Sequence, residues 1–246
     1  LHKTLPDGTQ TLYFDKIKFA YFDCKILKRK NAEKDYSPEE MQQVNELESL
    51  ITEVEKEKLI DTIIVKTQSF ISRNIVNGNE DPVEAFRKLL TLYENVDREK
   101  LRENLRYFLQ EIIPTAEKQG IQMCIHPDDP PFPVFGLPRI VSDEDDIRWI
   151  LESVESPANG FTFCAGSLSA GIQNDVVDLA KKFAKKSFFV HLRSTEIKEN
   201  GDFVEASHLG GRANLTELIR IFEKENPNVP MRVDHGKLML DDVAKN

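Results

Sequence analysis

The chain has 246 residues, 40% of them hydrophobic, and a formal net charge of -9. That length supports one large core, and the acidic balance argues against a nucleic-acid surface, which needs clustered Lys and Arg. No apolar run approaches a membrane span and no signal-peptide pattern is read at the first residues. With only Cys24, Cys124 and Cys164, too scattered for a disulfide framework, the expectation is a reduced, soluble, cytoplasmic protein with no membrane partner.

The opening segment LHKTLPDGTQ starts on leucine, and KLMLDDVAKN trails off after a candidate site residue; the ends read as those of a fragment, or of the ordered part, of a longer chain. Residues 11–27 alternate aromatic and β-branched side chains and predict extended or hairpin structure. KRKNAEKD then reads as a solvated loop. Ser37 with Pro38 and Glu40 forms an S-x-x-E capping box, and Met41, Val44, Leu47, Leu50 and Ile51 recur at helical spacing, the pattern continuing toward Val65. Residues 68–80 read as a loop. Asp81 and Pro82 open a helix to about Glu94, and Asp97 opens a long one ending at Gly120, with a bend expected at Pro114.

After Gly120 the rhythm changes to short strand, loop and helix, with helices expected near residues 143–155, 174–185 and 213–225. Residues 1–246 are thus expected to form a single domain, with a helical, loop-rich portion over 1–120 and regular βα units over 121–246. Four apolar runs in that second portion each stop on a metal-binding residue type: MCIHP at His126, FTFCAG at Cys164, FFVHLR at His191 and MRVDHG at Asp234. Two imidazoles, a thiolate and a carboxylate make a donor set for a borderline transition metal. Successive members lie about one strand, one helix and two loops apart, the repeat of a parallel α/β sheet, and a (β/α)8 barrel delivers every strand's last side chain to one face.

Taken singly, each residue has a plainer reading. A histidine at a strand end is commonly a hydrogen-bonded structural group, Cys164 alone would be a small buried hydrophobe, and Asp234 could cap a turn. What favours a site is that three of the eight His and Cys residues fall at corresponding points of successive strand units. Cys124 shares strand parity with His126 and reads as core, and Trp149 as a residue packing a helix onto the sheet. Asp128 and Asp129 lie in a loop stiffened by Pro127, Pro130 and Pro131, which either orients His126 or the substrate or is simply surface.

HPDDPP at 126–131, FGLPRIVS at 135–142, SPANGFTFCAGSL at 156–168, HLRS at 191–194 and DHG at 234–236 together resemble the mannonate dehydratase family of xylose-isomerase-like TIM barrels. The resemblance implies a (β/α)8 barrel, incomplete over these residues and with a helical insertion in its N-terminal half. It implies a hydro-lyase that removes water from D-mannonate to give 2-keto-3-deoxy-D-gluconate in hexuronate breakdown, with Mn2+ or Fe2+ as cofactor. It places His126, Cys164, His191 and Asp234 at the family's metal positions and His235 at a position of acid/base catalysis. A small sugar acid is the implied partner, and a homodimer is plausible for the family.

Other roles follow from position. Arg193, two residues past His191, shares its face of an extended strand, where it pairs either with the substrate carboxylate or in a salt bridge on the rim. His208, in the Gly-rich EASHLGGRAN, either closes over substrate or caps the next helix. In a regular strand His235 would point away from Asp234, but Gly236 lets the chain turn. Two departures from the family stand out: it has about a hundred residues ahead of this segment, and it carries a C-terminal tyrosine, whereas no tyrosine follows Tyr107 here. The alternatives are a metal-dependent sugar isomerase or epimerase of the same superfamily, which leans on Glu and Asp ligands, and a non-catalytic barrel subunit. A DNA-repair nuclease is disfavoured by the acidic charge.

Overall fold

A computed structural model of the chain describes residues 2–6, 8–66 and 81–238. It is mixed α/β and divides into two compact units, one built from residues 14–97 with 134–137, the other from residues 2–13, 98–133 and 138–246. The boundary therefore falls near 97 in place of 120, because the long helix over Arg98–Lys118 and the first strands pack with the α/β unit. The expected loop at 68–80 lies outside the described residues. Among them, no helix is long and apolar enough to cross a membrane.

The first unit is helical. Its α1 (Lys16–Tyr21) begins where Asp15 accepts a hydrogen bond from Lys18 N at 2.9 Å, and a π-helical turn over Phe22–Leu27 continues it. The extended structure expected over 11–27 therefore stops at Phe14. A sufficient cause is local: an Asp cap starts a helix, and the aromatic residues that suggested a strand pack as a cluster, with the Phe135 ring 4.6 Å from Phe19 and 5.2 Å from Phe86. The basic stretch is less solvated than expected. Arg29 pairs with the buried Asp23 at 2.7 Å and with Asp35 at 2.5 Å.

The Ser37–Glu40 capping box is formed and starts α2 (Pro38–Leu50). A second box, Thr52 with Glu55, breaks the helical pattern there and starts α3 (Glu53–Ile60). Asp81 caps α4 (Pro82–Thr91) by accepting from Val83 N and Glu84 N.

The second unit holds two four-stranded sheets. In the parallel sheet, β3 (Met123–Ile125), β4 (Asn159–Cys164), β5 (Ser187–His191) and β8 (Met231–Arg232) lie side by side in chain order. Helices lie between successive members of this sheet, and two further strands are added between β5 and the helix after it. Helices α5 (Arg98–Lys118), α6 (Glu144–Ser153), α7 (Ala165–Ser169), α8 (Val176–Phe183) and α9 (Leu215–Glu225) supply Leu109, Ile113, Ile147, Ile150, Leu168, Leu179, Leu218 and Phe222 to one core with Phe161, Phe163 and Val190 of the sheet. Every residue of β4 is buried, as a central parallel strand covered on both faces requires. Trp149 of α6 stacks under Arg102 and Arg106 of α5, so it joins helix to helix.

The antiparallel sheet has the order β1–β2–β7–β6, from β1 (His2–Thr4), β2 (Gln10–Phe14), β6 (Thr195–Ile197) and β7 (Phe203–Glu205). Of its strands only β2 falls in the stretch expected to be extended; β1 and the β6–β7 hairpin between β5 and α9 were not expected. These strands are three to five residues long, below the length at which alternation is readable.

Candidate metal centre

Three of the expected ligands converge because the parallel strands end level with one another. In the ladder between β4 and β5, Phe161 is opposite Ser187 but Thr162 is opposite Phe189, so Phe188 is bulged out. This one-residue slip sets Cys164 opposite His191, where an unbroken register would have placed Val190. Gly160 makes room for the bulge, because a Cβ there would collide with the Phe188 ring.

His126 follows the last residue of β3, and Cys164 and His191 end their strands. Their ligand atoms lie within 4.8 Å of one another. His126 Nε2 and His191 Nδ1 are 3.3 Å apart. Two nitrogens each about 2.1 Å from one ion at an angle between 90° and tetrahedral lie about 3.0–3.4 Å apart, so this spacing fits a shared metal. The His126 Nδ1–H donates to Pro127 O at 2.7 Å, which leaves the Nε2 lone pair turned toward His191.

Asp234 comes two residues after β8 and stands outside that trio, with its Oδ2 3.6 Å from His191 Nδ1. Its Oδ1 lies 3.6 Å from Arg232 Nη2. Of the trio, His191 is the member the carboxylate lies beside.

The electrostatics favour an anionic sulfur. Burial alone would raise the Cys164 pKa, but the two imidazoles and Arg193 bring it down to about 6. Burial opposes the imidazolium of His126, and the Cys164 sulfur outweighs it and raises the pKa. A low-pKa thiol flanked by two histidines is a donor set for a divalent transition metal. The Ser167 Oγ lies 3.2 Å from the sulfur and 3.2 Å from Asp129 Oδ2.

Around this centre the other expected residues take varied positions. Arg193 is 4% exposed and donates to Asp129 Oδ2 at 2.7 Å and to Glu205 through Nε at 2.9 and 3.1 Å. Of its two readings the structure favours the salt bridge over the substrate carboxylate, though both its partners are buried or half-buried. Asp128 turns away from the centre and fastens its own loop, accepting from Ile140 N at 3.0 Å and Val141 N at 2.9 Å. Cys124 is half-buried and outside the core, since β3 is an edge of the described sheet. The His208 ring abuts Gly236, and its buried Nε2 has no hydrogen-bond partner among the described residues.

His235 is half-exposed, with Nε2 3.7 Å from Asp234 Oδ2 and Nδ1 3.7 Å from Glu205 Oε1. Burial and the Arg193 charge lower its pKa, which favours the neutral imidazole. Sequence reasoning missed Glu205 on β7, which is 3% exposed. Burial pushes its carboxyl up to about 7 against the pull of Arg193.

Comparison with known proteins identifies the family. A mannonate dehydratase from Marinomonas sp. (strain MWYL1) is 45% identical over 255 residues, covering 98% of this chain and 63% of that protein. One from Chromohalobacter salexigens is 38% identical over 254 residues, with 98% and 62% covered. The chain thus spans about three fifths of the length of these relatives. The crystal structure of mannonate dehydratase from Streptococcus suis serotype 2 superposes with a TM-score of 0.59 at 33% identity, over 65% of this chain and 46% of that one. The family model for D-mannonate dehydratase (UxuA) matches residues 1–246, and the chain therefore belongs to the D-mannonate dehydratase family.

Proposed function

We propose that the protein is a metal-dependent hydro-lyase that converts D-mannonate to 2-keto-3-deoxy-D-gluconate, with its site on a (β/α)8 barrel of which the four parallel strands are part. The observation that carries this reading is the convergence of His126, Cys164 and His191 within 4.8 Å at the ends of adjacent parallel strands. Asp234 is the fourth ligand of the proposed site. A divalent ion held by these four, Mn2+ or Fe2+, would act as a Lewis acid worth several kcal/mol toward charge building up on the substrate carboxylate.

The reaction breaks the C–H bond beside the carboxylate and the C–O bond of the neighbouring hydroxyl, forms a C=C bond, and releases water. The resulting enol becomes the 2-keto product. His235 would exchange a proton with substrate; its half-exposed ring, with Nδ1 facing the buried Glu205 and Nε2 facing Asp234, supports this role. His208 is the second substrate contact. Its Nε2, which has no hydrogen-bond partner among the described residues and lies beside Gly236, would gain a hydrogen bond from a substrate hydroxyl.

The test is incubation with D-mannonate and Mn2+, with and without chelator. Metal-dependent appearance of the 2-keto-3-deoxy acid is expected. An isomeric sugar acid in its place would move the protein to the isomerases, and bound metal without turnover of mannonate would point to another sugar acid.

A further inference from the structure

Four buried or half-buried polar side chains run from the Cys164 sulfur to the His235 ring, and only part of that run belongs to the metal centre. Ser167 Oγ lies 3.2 Å from Cys164 Sγ and 3.2 Å from Asp129 Oδ2. The same Asp129 oxygen accepts from Arg193 Nη1 at 2.7 Å. Arg193 Nη2 lies 2.6 Å from Glu205 Oε1, and its Nε reaches both Glu205 oxygens. Glu205 Oε1 in turn lies 3.7 Å from His235 Nδ1.

The guanidinium is thus a planar fork filled from two directions, a geometry a point-charge ammonium does not reproduce. Its stem is held as well. A Cβ on Gly166 would collide with the Arg193 side chain, so the turn after Cys164 is built around it. With 4% of its surface exposed, Arg193 has little room to swing toward a ligand.

We propose that Arg193 is a positioning residue. It clamps the loop after β3 to the end of β7, which sets Ser167 against the Cys164 sulfur on one side and keeps Glu205 beside His235 on the other. Outer partners of this kind hold metal ligands in orientation, and their removal weakens metal binding by about 10–100-fold. The inference rests on the metal-centre reading above and assigns Arg193 a task other than substrate binding.

Arg193→Lys keeps the charge and removes the fork. We compare it with the wild type by Mn2+ affinity in chelator competition, and by kcat and KM for D-mannonate. Positioning predicts Mn2+ affinity and kcat each down by about tenfold or more, with KM within about twofold. A raised KM with kcat and Mn2+ affinity at wild-type values would overturn it and return Arg193 to the substrate carboxylate.

If circular dichroism shows Arg193→Lys to be unfolded, Ser167→Ala and Glu205→Gln carry the test from the two ends of the run. The first should weaken Mn2+ binding and the second should lower kcat, and wild-type values for both would overturn the proposal. A wild type that binds Mn2+ but leaves mannonate unchanged would defeat the substrate assignment alone, because the Mn2+ affinities still decide the clamp. A wild type that binds no Mn2+ would defeat both.

Discussion

The two sheets of the α/β unit divide the work of the site unequally. The parallel sheet carries His126, Cys164 and His191 at its strand ends, and its central strand is buried throughout. The antiparallel sheet is made of strands of three to five residues, and its contribution is Glu205, which is joined to the centre through Arg193 and His235. A parallel sheet places side chains by long-range register, so a local error there should disturb metal binding. The antiparallel sheet buttresses, and damage to it should be milder.

The largest loss of stability should come from beneath the parallel sheet. Asp146 of α6 is fully buried and binds Arg98 and Arg102 of α5, each at 2.6 Å, while accepting from Ser142 N at 3.0 Å. Asp146→Ala strands these donors and should cost about 3 kcal/mol, the lower end for a broken buried pair because Arg98 is partly exposed. Urea titration checks it.

Next in size is Gly160→Ala, whose new methyl meets the Phe188 ring. Overpacking should cost about 1–3 kcal/mol, and Mn2+ affinity should fall more than stability does, since the bulge is what aligns Cys164 with His191. Unchanged Mn2+ affinity would mean that the register slip does not place the ligands.

Thr11→Val in β2 sharpens the comparison. It removes a buried hydroxyl that donates to the Glu205 carbonyl at 3.0 Å and keeps the side chain's shape. A loss of about 1 kcal/mol with Mn2+ affinity retained is expected; a metal defect as deep as that of Gly160→Ala would erase the distinction between the sheets. Smallest is Ser37→Ala, which opens the capping box of α2 in the helical unit. About 1 kcal/mol or less in thermal or urea unfolding, with kcat unchanged, is predicted.

The same contrast explains what the sequence disclosed. The strands ending at His126, Cys164 and His191 were readable because each is an apolar run closed by a polar residue, with a helix between successive runs. The caps at Ser37 and Asp81 were readable because the chemistry is local. Asp15 was hidden by the aromatic residues around it, which look like a strand but pack as a ring cluster in the helical unit. Glu205 was invisible because FVE is too short to show a period, and its role comes from a strand opposite in space. Asp129 drew notice only as part of a proline-rich loop; nothing in one sequence says that its partner is Arg193, 64 residues away.

The most direct test of the central claim is the Mn2+ affinity of the purified protein beside that of Cys164→Ala. The strand-end centre predicts one Mn2+ bound per chain in the wild type and binding reduced at least about a hundredfold in the variant, with thermal stability of the metal-free forms close to equal. Equal Mn2+ affinity in the two proteins would contradict it, and would leave Cys164 a buried side chain beside two histidines.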